Sequence, residues 1–297
     1  MCAAESRTET AQQALDALPP LRAMKWAGSG PGGSGGCATS AGTRSVTPHR
    51  VWFTSNATTA GSFSAVCLLT AKALHESLGG AVPVGAVESC VSGTSVERWM
   101  PPLSSIFTPP WLPLCPRKPC HGDLWQSEMV PLLPMTFRAV LWDQGEADAK
   151  RTNASWYRDA WPAMINGWRQ ELRQPGLPLV YVELDGQMHD EAPQDSVNFW
   201  AAQRAATSLP SVGFATTTDI QRGTHPPDKQ DVAARMALEV RRVALGQAVV
   251  SRGPELHRIS GSATGGLVLT FSNMSLVSSP GILVNTSCAV KNPPRWC

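Results

Sequence analysis

Between residues 63 and 246, short apolar runs alternate with stretches that repeat apolar side chains every three or four residues. This alternation limits the fold more than any other feature of the chain. Phe63, Val66, Cys67, Leu74 and Leu78 fall on one helical face, and Gly79-Gly80 stops the run as a left-handed cap would. Val84 to Val87 then reads as a short buried strand that ends at a Gly/Ser turn. Arg138 to Trp142, Leu179 to Leu184 and Gly213 to Thr218 read as three more strands. Tyr157, Trp161, Ile165, Trp168 and Leu172 line a helix over 156–172, with Pro162 expected in its first turn. Asp228 is expected to cap a last helix with Asp231 near its positive end; Val232, Met236, Val240 and Val243 form its apolar stripe, and Gly246 ends it. Strands joined by crossover helices predict an α/β fold, a parallel sheet covered on both faces.

The rest of the chain reads differently. Residues 28–42 (GSGPGGSGGCATSAG) are a low-complexity stretch, and 28–48 is expected to be a flexible insert. No Lys-Ser/Thr follows these glycines and no apolar strand precedes them, so they do not form a phosphate loop. From Ser251 onward LVLTF and GILVN look like β-strands of another layer, too few for a full sandwich. The expected division is an α/β domain over 1–246 and a partial β domain over 247–297. A net charge of +2 with 16% charged residues points to neither nucleic acid nor an anionic membrane surface. No apolar run is long enough to span a bilayer. The eight cysteines have no zinc-ligand spacing, and Cys115 and Cys120 flank a Pro-containing loop that suits a small disulfide. Asn56, Asn153, Asn273 and Asn285 each open an Asn-X-Ser/Thr sequon. Together these favour a lysosomal or secreted full-length protein, although MCAAESRTET is no signal peptide.

In an open α/β sheet, sites gather at the carboxyl ends of the strands. Three polar loops fall there: Glu88 to Thr94, Asp143 to Asp148, and Thr218-Asp219 with Gly223 to Pro226. His225 is the natural base. Gln144 can offer its side-chain amide, and Gly93 its backbone N–H, to a developing oxyanion. Glu146 and Asp148 could form a glycosidase pair, but as neighbours on one loop they suit the fixing of loop geometry better. Cys90 with His225 could make a thiol hydrolase, but nothing near Cys90 in sequence supplies a cation, so a small structural thiol is favoured.

Three segments, in order, carry a family resemblance: VGAVESCVSGTSVERW, RAVLWDQGEAD and GTHPPDKQDVAARMAL, with the helix SFSAVCLLTAKALHESLG before the first. They resemble the blocks of the sialate O-acetylesterase family, over roughly residues 50 to 246. That family is similar to the SGNH hydrolases, which implies a flavodoxin-like three-layer α/β/α sandwich, removal of acetyl groups from O-acetylated sugars such as sialic acid, and no cofactor or metal. The resemblance makes His225 the catalytic histidine, Gly93 an oxyanion donor and Gln144 the residue completing that hole. Glu146, Thr94 and Trp142 are the expected substrate contacts.

The departures are specific. Val91-Ser92-Gly93 stands where the family has Trp-Gly-Gly, and Asp143 and Asp148 flank the Gln-Gly-Glu core where it has Tyr and Asn. Arg222 occupies the place, three before the histidine, where many SGNH enzymes put an aspartate. Asp219 is therefore the expected partner of His225, with a backbone carbonyl as the alternative. The family's nucleophile motif, Gly-Gln-Ser-Asn-Met, does not occur. The segment after Met1 resembles the family's continuation of that motif: an Ala-rich, helix-prone stretch and then LRAMKW as a strand. The expectation is that the domain lacks its first strand and its serine, leaving the fragment nearly inactive. The competing class is a member that binds acetylated sugar without hydrolysing it.

Overall fold

A computed structural model describes residues 19, 21–25, 52–60, 63–101, 122–149, 154–184, 193–220, 228–253, 255–261 and 267–271. In chain order the elements are β1 (Arg22–Lys25), β2 (Trp52–Thr54), α1 (Ala57–Ala60), α2 (Ala65–Ser77), β3 (Gly85–Glu88), β4 (Val140–Trp142), α3 (Glu146–Ala149), α4 (Ala154–Glu171), β5 (Leu179–Glu183), α5 (Pro193–Arg204), β6 (Val212–Thr216), α6 (Lys229–Val243), β7 (Leu256–Gly261) and β8 (Leu267–Phe271). The 28–48 insert, the Cys115–Cys120 loop, the GILVN run, His225 and the sequons at Asn153, Asn273 and Asn285 lie outside the described residues.

The strands form a sheet ordered β2-β1-β3, a second ordered β4-β5-β6, and a β7-β8 hairpin. β1 and β3 are parallel, Arg22 opposite Gly85 and Lys25 opposite Glu88, while β2 lies antiparallel on the outer edge. β4, β5 and β6 are parallel throughout. Side chains alternate across the pleat. Ala23 and Ala86 face α2, and Leu141, Val180 and Val182 face the layer of α2 and α6. Met24, Val140, Trp142 and Tyr181 face the opposite layer, built on α4. That layer is aromatic. Trp142 stacks on Trp161 at 5.3 Å between centroids and meets Trp99 and Trp168 edge-on at 5.9 and 5.5 Å.

Several elements differ from expectation. Pro162 lies well inside α4, not in its first turn. It forfeits one backbone bond to residue 158, and burial of Tyr157, Trp161, Met164, Ile165 and Trp168 on the same face holds the helix nonetheless. α5 carries no regular apolar stripe. It is held by Phe199, Ala202 and the fully buried Gln203, whose amide satisfies Leu184 N–H and Val182 C=O. α6 begins as the sequence predicts, Asp228 accepting the Asp231 N–H at 3.2 Å. Its buried Glu239 holds Arg252 at 2.9 Å, pinning the segment that leads to the β7-β8 hairpin.

Candidate active site

The first loop leaves β3 at Glu88 and turns at Gly93, whose φ of +68° is left-handed. A side chain there would meet nothing within 4 Å, so backbone conformation, not crowding, asks for glycine. Thr94 secures the turn: its hydroxyl donates to Val91 C=O at 2.8 Å and accepts from Trp99 Nε1 at 3.0 Å. With both functions used and 5% exposure, its side chain is part of the wall and not of the surface.

The second loop leaves β4 at Trp142. Gly145 has a φ of +146°, and a Cβ there would lie 2.7 Å from Leu184 and 2.8 Å from Phe199, so no other residue fits between Gln144 and Glu146. This pinch turns Gln144 back toward the first loop. Its Nε2 donates to Thr94 C=O at 2.9 Å and to Asp148 Oδ2 at 2.5 Å, and its Oε1 accepts from the Tyr157 hydroxyl at 3.3 Å. Asp148, 4% exposed, also accepts the Val96 N–H at 3.1 Å. One amide and one carboxylate thus bracket the two loops together. Both protons of the Gln144 amide are engaged, and donation to an oxyanion requires that one of these bonds be given up.

In the sequence Asp148 reads as one of a carboxylate pair better suited to fixing the loop than to catalysis. Its spacing of four from Gln144, on a turn opened by glycine, is the available signal. Its commitment to Gln144 and Val96 leaves it no part across a cleft from Glu146, and the two sit on the same short helix, so the glycosidase geometry is not formed. Trp142 is a core residue, 7% exposed, with Trp161 stacked on its ring and Nε1–H directed to Tyr157 at 3.4 Å.

Glu146 is the electrostatic anomaly of the site. Burial, reinforced by the neighbouring Asp143 carboxylate, pushes its carboxyl up to about 7, against the partial relief of Lys229 at the start of α6. Lys229 opens α6 directly after the third loop. The N-terminal flank is anchored by Thr217, which donates to Glu183 C=O at 2.7 Å. Asp219 lies on this flank with both oxygens on Arg235, at 2.6 and 2.7 Å, and that guanidinium holds its carboxyl below the ordinary range.

Cys90 places its thiol 3.5 Å from Glu88, an anion and the wrong partner for a thiolate nucleophile. Burial and then Glu88 push the Cys67 thiol up to about 12, which keeps it inert. Both are free cysteines. Among the described residues no group of three or more His, Cys, Asp or Glu side chains could hold a metal, and no helix is long and apolar enough to cross a membrane.

A three-layer α/β/α scaffold with polar turns bracketed at the strand ends is the layout of an SGNH-like hydrolase. The family described as carbohydrate esterase, sialic acid-specific acetylesterase, matches residues 66–237, and the chain belongs to it. The chain is 27% identical to human (Homo sapiens) sialate O-acetylesterase over 267 residues, covering 78% of this chain and 50% of that protein. It is 28% identical to the sialate O-acetylesterase of Rattus norvegicus over 244 residues, covering 62% and 43%. The crystal structure of a carbohydrate acetylesterase from Xanthomonas citri superposes with a TM-score of 0.70 at 29% identity, over 91% of this chain and 60% of that one. The chain therefore spans about half the length of the curated relatives it matches.

Proposed function

We propose that this chain is the larger part of a carbohydrate O-acetylesterase domain acting on acetyl esters of sialic acid or a related sugar. The observation that carries this reading is the Gln144 bracket, which brings the Gly93 turn and the Gln-Gly-Glu turn, two separate family blocks, to one edge of the sheet. In the reaction, His225 takes the proton of a serine hydroxyl and the oxygen attacks the acetyl carbonyl. The Gly93 N–H receives the oxyanion, and Gln144 keeps that turn in place and completes the hole by releasing one of its present partners. Collapse expels the sugar oxygen, which takes the proton back from His225. Water repeats the sequence and releases acetate. Asp219 is the candidate to orient His225, in competition with its Arg235 clasp. Glu146 lies beside this edge, where a neutral carboxylic acid can donate to a sugar or acetyl oxygen.

The sequence holds no Gly-Gln-Ser-Asn, so the serine in this reading comes from a longer protein. The same fact favours a second reading, a member that binds acetylated sugar only. The exposed sequon at Asn56 supports passage through the secretory route.

The test is p-nitrophenyl acetate and O-acetylated sialic acid turnover by the chain and by a version extended with the family's serine motif. The extended protein should turn over both, and His225→Ala should lower kcat by about 10⁴-fold or more. Binding of the acetylated sugar with no turnover in the extended protein would establish the second reading instead.

A further inference from the structure

The outer strand of the β2-β1-β3 sheet has none of the usual guards of an open edge. β2 pairs with β1 on one side, and among the described residues no strand pairs with its other side. Its sequence, Trp52-Phe53-Thr54, holds no charge and no proline, and its register with β1 runs without a bulge. Charges, prolines and bulges are how folded proteins keep an edge from pairing with another chain. Phe53 turns inward against Phe63, at 6.1 Å between ring centroids. Trp52 and Thr54 turn outward, and the indole is 37% exposed. It lies across Gly85 of β3, 3.4 Å from where a Cβ on that glycine would stand. An exposed indole on an unguarded strand favours association with a second chain unless something covers it.

A cover can be attached just beyond the strand. Ser55 is buried and ties the chain back to β1: its hydroxyl accepts the Leu21 N–H at 3.1 Å, and its own N–H donates to Leu21 C=O at 2.8 Å. Asn56 follows, is exposed, and opens the sequon Asn-Ala-Thr. It also caps α1. Its Oδ1 accepts the Thr59 N–H at 3.0 Å, and Thr59 Oγ1 accepts the Asn56 N–H at 3.0 Å, reciprocal bonds that fix the side chain. We propose that Asn56 carries an N-linked glycan and that this glycan shields the open edge of β2. The chemistry suits the geometry. Transfer from a lipid-linked diphospho-oligosaccharide joins Nδ2 to the anomeric carbon of the first sugar, Nδ2 gives up one proton, and the lipid diphosphate leaves. Oδ1 stays a carbonyl oxygen, so the cap survives the modification. Thr54 lies opposite Arg22, and Arg22 opposite Gly85, the first residues of β1 and β3. The glycan therefore stands at the amino ends of these strands, away from the Gly93 turn at their carboxyl ends. The site rests on the secretory route proposed above and is independent of the esterase reading.

The test uses the full 297-residue chain, secreted from cultured animal cells behind a heterologous signal peptide, and beside it the protein purified from its own source. Trypsin releases residues 51–72, a fragment in which Asn56 is the single asparagine, so the other sequons do not enter the measurement. The proposal expects mass spectrometry to find this fragment chiefly as a glycopeptide. Glycosidase treatment in heavy-oxygen water should then convert Asn56 to labelled aspartate. Asn56→Asp keeps a capping oxygen and Thr58→Ala keeps the bonds between Asn56 and Thr59; each should lose the glycan completely, and Thr58→Ser should retain it. An unmodified fragment from the secreted chain overturns the site. Modification there, with none in the protein from its own source, overturns the secretory route and the proposal with it. Shielding has its own readout. Light scattering on warming should rise several-fold when the folded glycoprotein is deglycosylated, and equally in Asn56→Asp. Adding Trp52→Lys to Asn56→Asp supplies an edge charge and should bring the scattering down again. Equal scattering with and without the glycan overturns the shielding and leaves the site.

Discussion

Gly145 is the residue on which the site's geometry turns. Its φ and the Leu184 and Phe199 atoms crowding its missing Cβ leave no room for a side chain. Gly145→Ala should cost about 3 kcal/mol in a urea titration, from overpacking together with backbone strain. Asp148 is nearly as constrained, since removing its carboxylate strands a buried Val96 N–H and one proton of Gln144. Asp148→Ala should cost about 2–3 kcal/mol, and Asp148→Asn less, because one oxygen remains to accept. Glu146 supplies a pH signature. Its native carboxyl titrates near 7 against an ordinary 4.5, so between those values the folded state binds more proton than the unfolded one. Stability should therefore fall as pH rises from about 4.5 to 7, by at most about 3 kcal/mol. Glu146→Gln should flatten that part of the profile, which denaturant midpoints at pH 4.5 and 7.5 would reveal.

At the scale of elements, the helix that follows the histidine loop depends on its cap. Asp228 accepts the Asp231 N–H and stands three residues after His225. Asp228→Ala should lower stability by about 1 kcal/mol. In an extended, active protein it should also reduce kcat more than it changes KM, because Asp228 stands three residues after the histidine proposed as the base; circular dichroism with steady-state kinetics would separate the effects. The helices are readable wherever a stripe is regular, as in α2, α4 and α6. α5 is not, because its buried side chains are Phe199, Ala202 and the polar Gln203 without a regular stripe, and the value of Gln203 lies in two backbone bonds to a strand some twenty residues earlier. Pro162 sits deeper in its helix than local preference suggests: proline favours a helix start, and the aromatic layer outweighs that preference.

At the scale of the molecule, stability is unevenly spread. β5 is buried on both faces, whereas the β7-β8 hairpin leaves Leu256, Ile259, Val268 and Leu269 about half exposed or more, from 45% to 58%. A two-stranded hairpin with so little cover has little stability of its own. Native-state hydrogen exchange should find β5 and β6 slowest and the hairpin amides among the fastest, with the boundary near Arg252, where the Glu239 clasp ends. Equal protection in the hairpin and in β5 would show that the hairpin is covered by a further layer in solution.

Sequence alone determined what depends on short-range pattern: strand and helix periodicity, the cap at Asp228, the turn glycine at 93, and the order of the three blocks that identify an esterase scaffold. Those features arise from the chemistry of neighbouring residues and need no knowledge of the rest of the chain. Tertiary structure alone decided which long-range partners each side chain found. It put Trp142 and Thr94 into the wall, spent the Gln144 amide on Thr94 and Asp148, and gave Asp219 to Arg235. Such choices are competitions for space and for hydrogen-bond partners among residues far apart in the chain, and they are settled only when the layers close.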